Sequence, residues 1–272
     1  MIHPAGGSVA FDRAAGYYDE TRGLPPAVAE RVADRIEAAA GPAARLLEIG
    51  VGTGRVALPL HRRGRRIAGV DLSAPMMARY RAKAGELGLG PPLLAQADAA
   101  RLPFRERTFG AVLEVHVLHL VPAWRAALAE MRRVLADTGV VLVGRGGGHQ
   151  RQGSGPHGRV LTRFEELAAA LGGPPRHVGA DRDRDKLDAL AALGGVAEPL
   201  EPVVWEQPET HAQALAWVEG RVFSYLWRLP EWIWRAATER LRAELAAAGV
   251  DLTAAVPTRH EFRLTAVRFD RR

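Results

Sequence analysis

An α/β fold with a doubly wound sheet follows from three features of the sequence. Short apolar, strand-like runs alternate with amphipathic helical stretches over residues 25–144 at a spacing of about 20 to 30 residues, the pattern of a parallel sheet crossed by helices. The first run passes into alternate glycines at 46–54, LLEIGVGTG, just before a helix. The next two runs end in acids, Asp71 and Asp98. With 272 residues, 47% of them hydrophobic, the chain has enough bulk to bury a full core, which excludes a disordered chain or a disulfide-stapled mini-protein.

Taken in order, Pro25 and Pro26 open a helix in which Val28, Val32 and Ile36 form one apolar stripe, and Gly41 and Pro42 end it. Residues 45–49 read as a buried strand, followed by the glycine turn and a helix through Val56 and Leu60, with Pro59 as a candidate kink. Residues 66–70 form the second strand. Asp71, Ser73 and Pro75 then turn the chain into the helix of Met76 and Met77, with Ser73 as its N-cap. The third strand is 93–97, with Asp98 at its end, and the fourth runs from Phe109 to Val115. A helix over 122–135 leads to a fifth strand at 140–143. Gly144, Gly146, Gly147 and Gly148 follow, and their lack of side-chain bulk predicts a mobile loop reaching about Gly158. Beyond it, helices are expected over 164–171, 187–193, 211–226 and 231–248. A sixth strand is expected over 202–206. The closing, seventh strand covers 260–269, with Phe262, Leu264, Ala266 and Arg268 on one side.

The formal net charge is +6, and only Lys83 and Lys186 among the 37 basic side chains are lysines. Most arginines are spaced among Ala, Leu and Glu on helical stretches. Arg182 and Arg184 alternate with Asp181, Asp183 and Asp185, so no basic patch marks a nucleic-acid partner. The absence of cysteine removes disulfides, thiolate nucleophiles, iron–sulfur clusters and cysteine zinc sites. The start, MIHPAGGSVAFDR, lacks the charged-then-apolar pattern of a secretory leader, and no apolar run reaches the roughly 18 residues of a membrane span. A cytoplasmic, soluble protein is expected.

Gly50, Gly52 and Gly54 let the backbone turn sharply and approach a ligand that a Cβ would push away, while the free amides of the following helix favour an anionic group. Asp71 lies about 20 residues on, where a carboxylate can accept both hydroxyl protons of a ribose. In a doubly wound sheet the ends bearing Gly50, Asp71 and Asp98 share one edge and converge on one crevice. A dinucleotide turn of the form G-x-G-x-x-G needs glycine where this chain has Arg55, which demotes nicotinamide binding. The P-loop lysine, the HExxH helix and the G-x-S-x-G elbow are missing, so nucleotide hydrolysis, zinc proteolysis and serine hydrolysis lose their main support.

Five segments extend this pattern: LLEIGVGTGRVALPL at 46–60, VDLSAPMM at 70–77, QADAARLPF at 96–104, FGAVLEVHVLHLV at 109–121 and EMRRVLADTGVVLV at 130–143. Their order and spacing resemble the class I S-adenosylmethionine-dependent methyltransferases, more narrowly the small-molecule type that includes quinone-biosynthesis methyltransferases. FDRAAGYYDETRG at 11–23 is similar to the amino-terminal helix that folds over the cofactor in such enzymes. Two departures, Gly110 where the family often has Asp and Thr138-Gly139 where it often has Gly-Gly, fall at structural positions.

The resemblance implies a Rossmann-like, seven-stranded mixed sheet, its sixth strand parallel and its seventh antiparallel, with a helical lid inserted before the last strand. The chain then divides into a cofactor-covering segment at 1–24, a core at 25–206 and 259–272, and a lid at 207–258. By the same resemblance Gly50, Gly52 and Gly54 pass under the methionyl and ribose parts of S-adenosylmethionine, with Glu48 near its ammonium. Asp71 holds the ribose hydroxyls, Leu72 and Met76 pack on adenine, and Asp98 with Ala99 reads the adenine amino edge. Tyr18 closes the pocket, and Val51 and Val115 complete the cofactor-binding set. On the residues alone, Asp98 also reads as a strand-end cap, and Met76 and Met77 as ordinary helix core.

A sulfonium already supplies a good leaving group, so methyl transfer needs alignment and exclusion of water rather than a nucleophilic side chain. Where the acceptor is a phenol or a protonated amine a base helps, and His116 and His119 are the candidate catalytic residues, with packing as their alternative role. No third ligand accompanies them, so no metal is expected. Trp205, Trp217, Trp227, Trp232 and Trp234 crowd the lid region, either holding it together or lining an apolar acceptor pocket. The expected function is in-line transfer of a methyl group from S-adenosylmethionine to a small, apolar or aromatic acceptor. The alternatives are a protein that binds this cofactor or S-adenosylhomocysteine without transfer, and a nucleic-acid methyltransferase. The latter is disfavoured because no basic recognition module and no Asn-Pro-Pro-aromatic motif is present.

Overall fold

Residues 7–146, 155–180 and 182–269 are described by the structure, a computed structural model. In chain order the elements are α1 (Tyr18–Arg22), α2 (Pro26–Ala40), β1 (Leu46–Ile49), α3 (Ala57–Arg62), β2 (Ile67–Asp71), α4 (Ala74–Glu86), β3 (Leu93–Gln96), β4 (Phe109–Val115), α5 (Trp124–Val134) and β5 (Leu135–Gly146). They continue with α6 (Pro156–Ala170), α7 (Asp183–Ala192), β6 (Gly195–Pro199), β7 (Val203–Glu209), α8 (His211–Glu219), α9 (Ser224–Trp227), α10 (Glu231–Ala247) and β8 (Val256–Phe269). Short 3-10 turns at Asp12–Ala14 and Leu118–Leu120 flank the candidate site.

These elements fall into two compact units. The first comprises 1–145, 177–203 and 262–272, the second 146–176 and 204–261. In the first, every residue of β1 is buried, as expected of a strand covered on both faces. Parallel pairing joins β1 to β2 and β4, β2 to β3, and β4 to β5. The strand order is β3-β2-β1-β4-β5-β8-β6, with β6 antiparallel to β8 and β7 pairing with β8 off this path. Between β1 and β4 the order reverses, and a doubly wound sheet opens a crevice at the carboxyl ends of its strands there. Leu47, Ile49, Val70, Val112 and Val141 from the strands meet Leu128 and Met131 of α5 in the core beneath.

The second unit gathers α6, α8, α9 and α10 around Phe164, Leu215, Leu226, Ile233 and Leu241. Trp217 and Trp234 pack on that core, Trp227 donates its ring N–H to the Arg221 carbonyl, and Trp205 stacks on His260. Trp232 is exposed. Most of these tryptophans therefore have partners inside their own unit.

Several expectations are refined by the structure. The sheet has eight strands, one more than the sequence reading counts. Gly195–Pro199 is the additional strand, missed because it is largely exposed and ends in Glu198 and Pro199, with no apolar alternation to announce it. It is β6, while the expected sixth strand appears as β7. Of the expected mobile loop, Gly144 and Gly146 extend β5, residues 147–154 lie outside the described residues, and Pro156, His157 and Gly158 already belong to α6. Pro59 sits in the first turn of α3, where its missing N–H costs no helical bond, so no kink follows from it. The helix expected over 211–226 breaks after Gly220, where Arg221 adopts a φ of 49° and its guanidinium takes the carbonyls of Leu226 and Leu229.

Candidate functional site

A cleft of about 640 Å3, its mouth included, opens at the carboxyl ends of β1, β2 and β4. Of the residues singled out in the sequence, Tyr18, Gly50, Gly52, Asp71, Leu72, Met76, Ala99, Val115 and His116 line it. Ser8, Val9, Phe11, Val117, Leu120 and Val121 line it as well. The sequence reading missed this second set because the residues are small or apolar and come together only through the fold. The one local signal was the similarity of 11–23 to a cofactor-covering helix.

The glycine loop is anchored to β2, with the Gly50 and Val51 amides donating to the Val70 carbonyl at 2.8 and 3.0 Å. Its glycines have left-handed φ values of 69°, 53° and 77° at 50, 52 and 54, yet they serve different ends. A Cβ on Gly50 would lie 2.6 Å from Val117 Cγ2, and one on Gly54 would lie 2.5 Å from the buried ring of Tyr80. A Cβ on Gly52 would meet Met76 Cε at 3.3 Å, with Asp71 Oδ2 and the Gly50 carbonyl oxygen at 3.9 Å. Gly52 thus keeps cleft surface clear, whereas Gly54 makes room for a side chain beneath the loop.

Asp71 closes β2 and is the acid of the cleft. Its Oδ2 accepts the Gly52 N–H and its Oδ1 the Ser73 N–H, each at 2.8 Å. A carboxylate has about four lone-pair sites, so capacity remains for a ligand's hydroxyl donor. Burial raises its pKa, against the opposing pull of the Ser73 and Gly52 amides. Ser73 caps α4 by accepting the Met76 N–H, which fixes the helix carrying Met76 into the cleft.

Glu48, Val51, Gly54, Asp98 and His119 are not among the residues lining the cleft. Val51 is core, packed so closely over Gly69 that a Cβ there would lie 2.7 Å from it. Asp98 Oδ1 accepts the Ala100 N–H at 2.8 Å, the geometry of a turn cap. His119 sets its ring edge-on to His177, with centroids 4.8 Å apart. His116, by contrast, reaches the cleft from a left-handed backbone with φ 56°. For a residue with a Cβ that conformation costs on the order of 1–2 kcal/mol, so the surrounding structure must enforce it.

Glu48 is 3% exposed, and its Oε2 has no hydrogen-bond partner. Burial, the dominant cause, pushes its carboxyl up to about 8; Arg55 and the Ala57 amide pull it down, and Asp71 adds to the rise. Between the ordinary 4.5 and about 8 the unfolded chain releases a proton that the folded chain keeps, so wild-type stability declines as pH rises through that window. Glu48→Gln keeps the shape without the charge. It is expected to gain on wild type from about pH 5 to about pH 8 by on the order of a few kcal/mol, with the two near parity at the acid end. Paired thermal melts check this, and a difference that stays flat with pH refutes it.

The amino-terminal segment is fastened beside the loop. Asp19 Oδ1 accepts from Thr53 Oγ1 at 2.5 Å and from Lys83 Nζ at 3.0 Å, and Arg55 donates to the Arg22 carbonyl. Farther up the segment, the Val9 amide bonds to the Leu120 carbonyl at 3.1 Å. Ser8, Val9, Phe11 and Tyr18 are thereby held as one wall of the cleft.

A family profile described as a methyltransferase domain matches residues 47–143. Over 139 residues the chain is 37% identical to phosphatidylethanolamine N-methyltransferase of Cereibacter sphaeroides, covering 50% of this chain and 65% of that protein. Over 101 residues it is 39% identical to demethylmenaquinone methyltransferase of Thermus thermophilus, covering 36% of this chain and 46% of that protein. The chain thus spans less than two thirds of the length of either curated relative. Among solved structures, Haemonchus contortus phospholethanolamine N-methyltransferase 2 in complex with phosphomonomethylethanolamine and S-adenosylhomocysteine shares the fold. It has a TM-score of 0.53 and 17% identity, over 95% of this chain and 58% of that one. Residues 47–143 thus match a methyltransferase domain, and the sheet has the Rossmann-like fold seen in solved methyltransferase structures.

Proposed function

We propose that this protein transfers the methyl group of S-adenosylmethionine to a small apolar or aromatic acceptor. The observation that carries the reading is Asp71, fixed by the Gly52 and Ser73 amides at the carboxyl end of β2 and facing a cleft that Gly52 leaves clear. The residues present fit the cofactor. Asp71 has acceptor capacity left for ribose hydroxyls, and Leu72, Met76 and Ala99 offer an apolar slot for a purine. Glu48, with one oxygen unpartnered, supplies a countercharge for an amino-acid ammonium once it loses its proton.

When bound, the cofactor supplies an electrophilic methyl carbon and a neutral thioether leaving group. The chain's own part is to orient the partners and exclude water. Val9, Phe11, Val115, Val117, Leu120 and Val121 favour an apolar acceptor. His116 stands at the cleft to take a proton from an acceptor hydroxyl as the new bond to carbon forms, or from an acceptor ammonium before its nitrogen attacks. His119, turned to His177, is left with a packing role. A cytoplasmic location belongs to the same proposal. It is supported by the lack of cysteine and by the finding that no helix among the described residues is long and apolar enough to cross a membrane.

The test is transfer of labelled methyl from S-adenosylmethionine to separate pools of phenols and quinols, amines, and lipids. Label in an extractable product of the phenol and quinol pool supports the reading. Binding of the cofactor with no label moved to any pool overturns it in favour of a protein that binds without transfer.

A further inference from the structure

The buried ion pair Glu114–Lys186 has no part in the mechanism above. Glu114 is fully buried near the end of β4, among Val112, Leu113 and Val115, and Lys186 of α7 is 4% exposed. Lys186 Nζ lies 3.1 Å from Glu114 Oε2 and 3.4 Å from both Glu114 Oε1 and Asp183 Oδ1. Replacing such a pair with packed apolar residues often leaves a protein as stable or more so, so its presence in a core asks for another explanation. Lysine here is also unusual, since apart from Lys83 every other basic side chain is arginine.

The explanation lies in what the other carboxylate oxygen does. Glu114 Oε1 accepts the backbone N–H groups of Val117 and Leu118, each at 3.1 Å, capping the 3-10 turn at Leu118–Leu120. Those amides directly follow His116, whose left-handed backbone needs enforcement. The bond to Val117 also sets the valine that abuts Gly50, at the contact where a Cβ on Gly50 would fall 2.6 Å from Cγ2. A single buried carboxylate therefore fixes the wall of the cleft that runs from His116 to Val117, and Lys186 is the charge that allows that carboxylate to be buried.

We propose that Glu114 and Lys186 are positioning residues for the cleft: the pair holds the 116–118 backbone so that Val117 closes on the glycine loop and His116 faces the ligand. The choice of ligand probe, S-adenosylhomocysteine, rests on the function proposed above; the geometry does not. Four proteins test it: wild type, Lys186→Met, Glu114→Gln with Lys186→Met, and Glu114→Leu with Lys186→Met. Each is titrated with S-adenosylhomocysteine by calorimetry, and amide exchange over 115–120 is followed in parallel. Lys186→Met is expected to weaken binding about tenfold or more and to speed exchange at Val117 and Leu118. The Gln/Met protein has no buried charge but keeps an acceptor oxygen, and is expected to return to within about threefold of wild type. The Leu/Met protein lacks both charge and acceptor and is expected to stay impaired, which decides the matter even if Lys186→Met does not fold. Equal binding and equal protection in Gln/Met and Leu/Met overturn the proposal, as does wild-type behaviour of Lys186→Met. If wild type does not bind the probe, the functional reading fails by itself, and the exchange comparison of Gln/Met with Leu/Met still decides the positioning role.

Discussion

Asp71→Ala is expected to abolish S-adenosylhomocysteine binding within the range accessible to calorimetry, a loss of about 100-fold or more. Two effects combine. Under the proposed function the substitution removes the acceptor for the ligand's ribose hydroxyls, each charge-assisted bond contributing about 1.5–3 kcal/mol. It also leaves the Gly52 and Ser73 amides without the oxygens they use, which loosens the loop and the N-cap of α4 together. Asp71→Asn separates these effects, because its amide retains one acceptor oxygen. A smaller loss of about tenfold is expected from it. Wild-type affinity in Asp71→Ala, with the fold intact by circular dichroism, would place the ligand elsewhere.

Substitution of the glycines should split stability from binding. Gly54→Ala forces a methyl group against the Tyr80 ring and a side chain into a left-handed backbone, which together cost about 2–4 kcal/mol. At about 2–4 °C per kcal/mol for a chain of this size, the melting temperature should fall by roughly 5–15 °C. Gly52→Ala has the same backbone strain but only the flexible end of Met76 nearby, so its stability cost should stay near 1 kcal/mol or little more. Its methyl group projects over the cleft floor, however, and an affinity loss of about tenfold to 100-fold is expected. Melting and titration of the two variants side by side decide it. A Gly52→Ala protein that melts far lower yet binds normally, or a Gly54→Ala protein with the reverse behaviour, contradicts these roles.

Much of the sheet was legible in the sequence because its grammar is local. Buried strand, glycine turn and capped helix each announce themselves within a few residues, which is why β1, β2, β4, Ser73 as a cap, and Asp71 at the cleft follow from reading alone. The elements that escaped depend on contacts between distant segments. Gly54 looks like a ligand-approach glycine until Tyr80, on α4 beyond the second strand, is seen filling the space beneath it. Asp98, by contrast, was open to both readings from its neighbours alone, as a ligand acid or as a strand-end cap, and its Oδ1 accepts the Ala100 amide. His116 and His119 are equivalent in sequence, and only the left-handed turn at His116 sends one to the cleft and the other to His177. Glu114 and Lys186 are 72 residues apart and had no motif to join them.

The most direct measurement is calorimetric titration of the wild-type protein with S-adenosylhomocysteine, accompanied by thermal melts. Saturable one-to-one binding is expected, with stabilisation of about 2.7 kcal/mol when ligand reaches a hundredfold excess over Kd, both lost in Asp71→Ala. A flat isotherm and an unmoved melting temperature up to about 1 mM ligand contradict the assignment of the cleft.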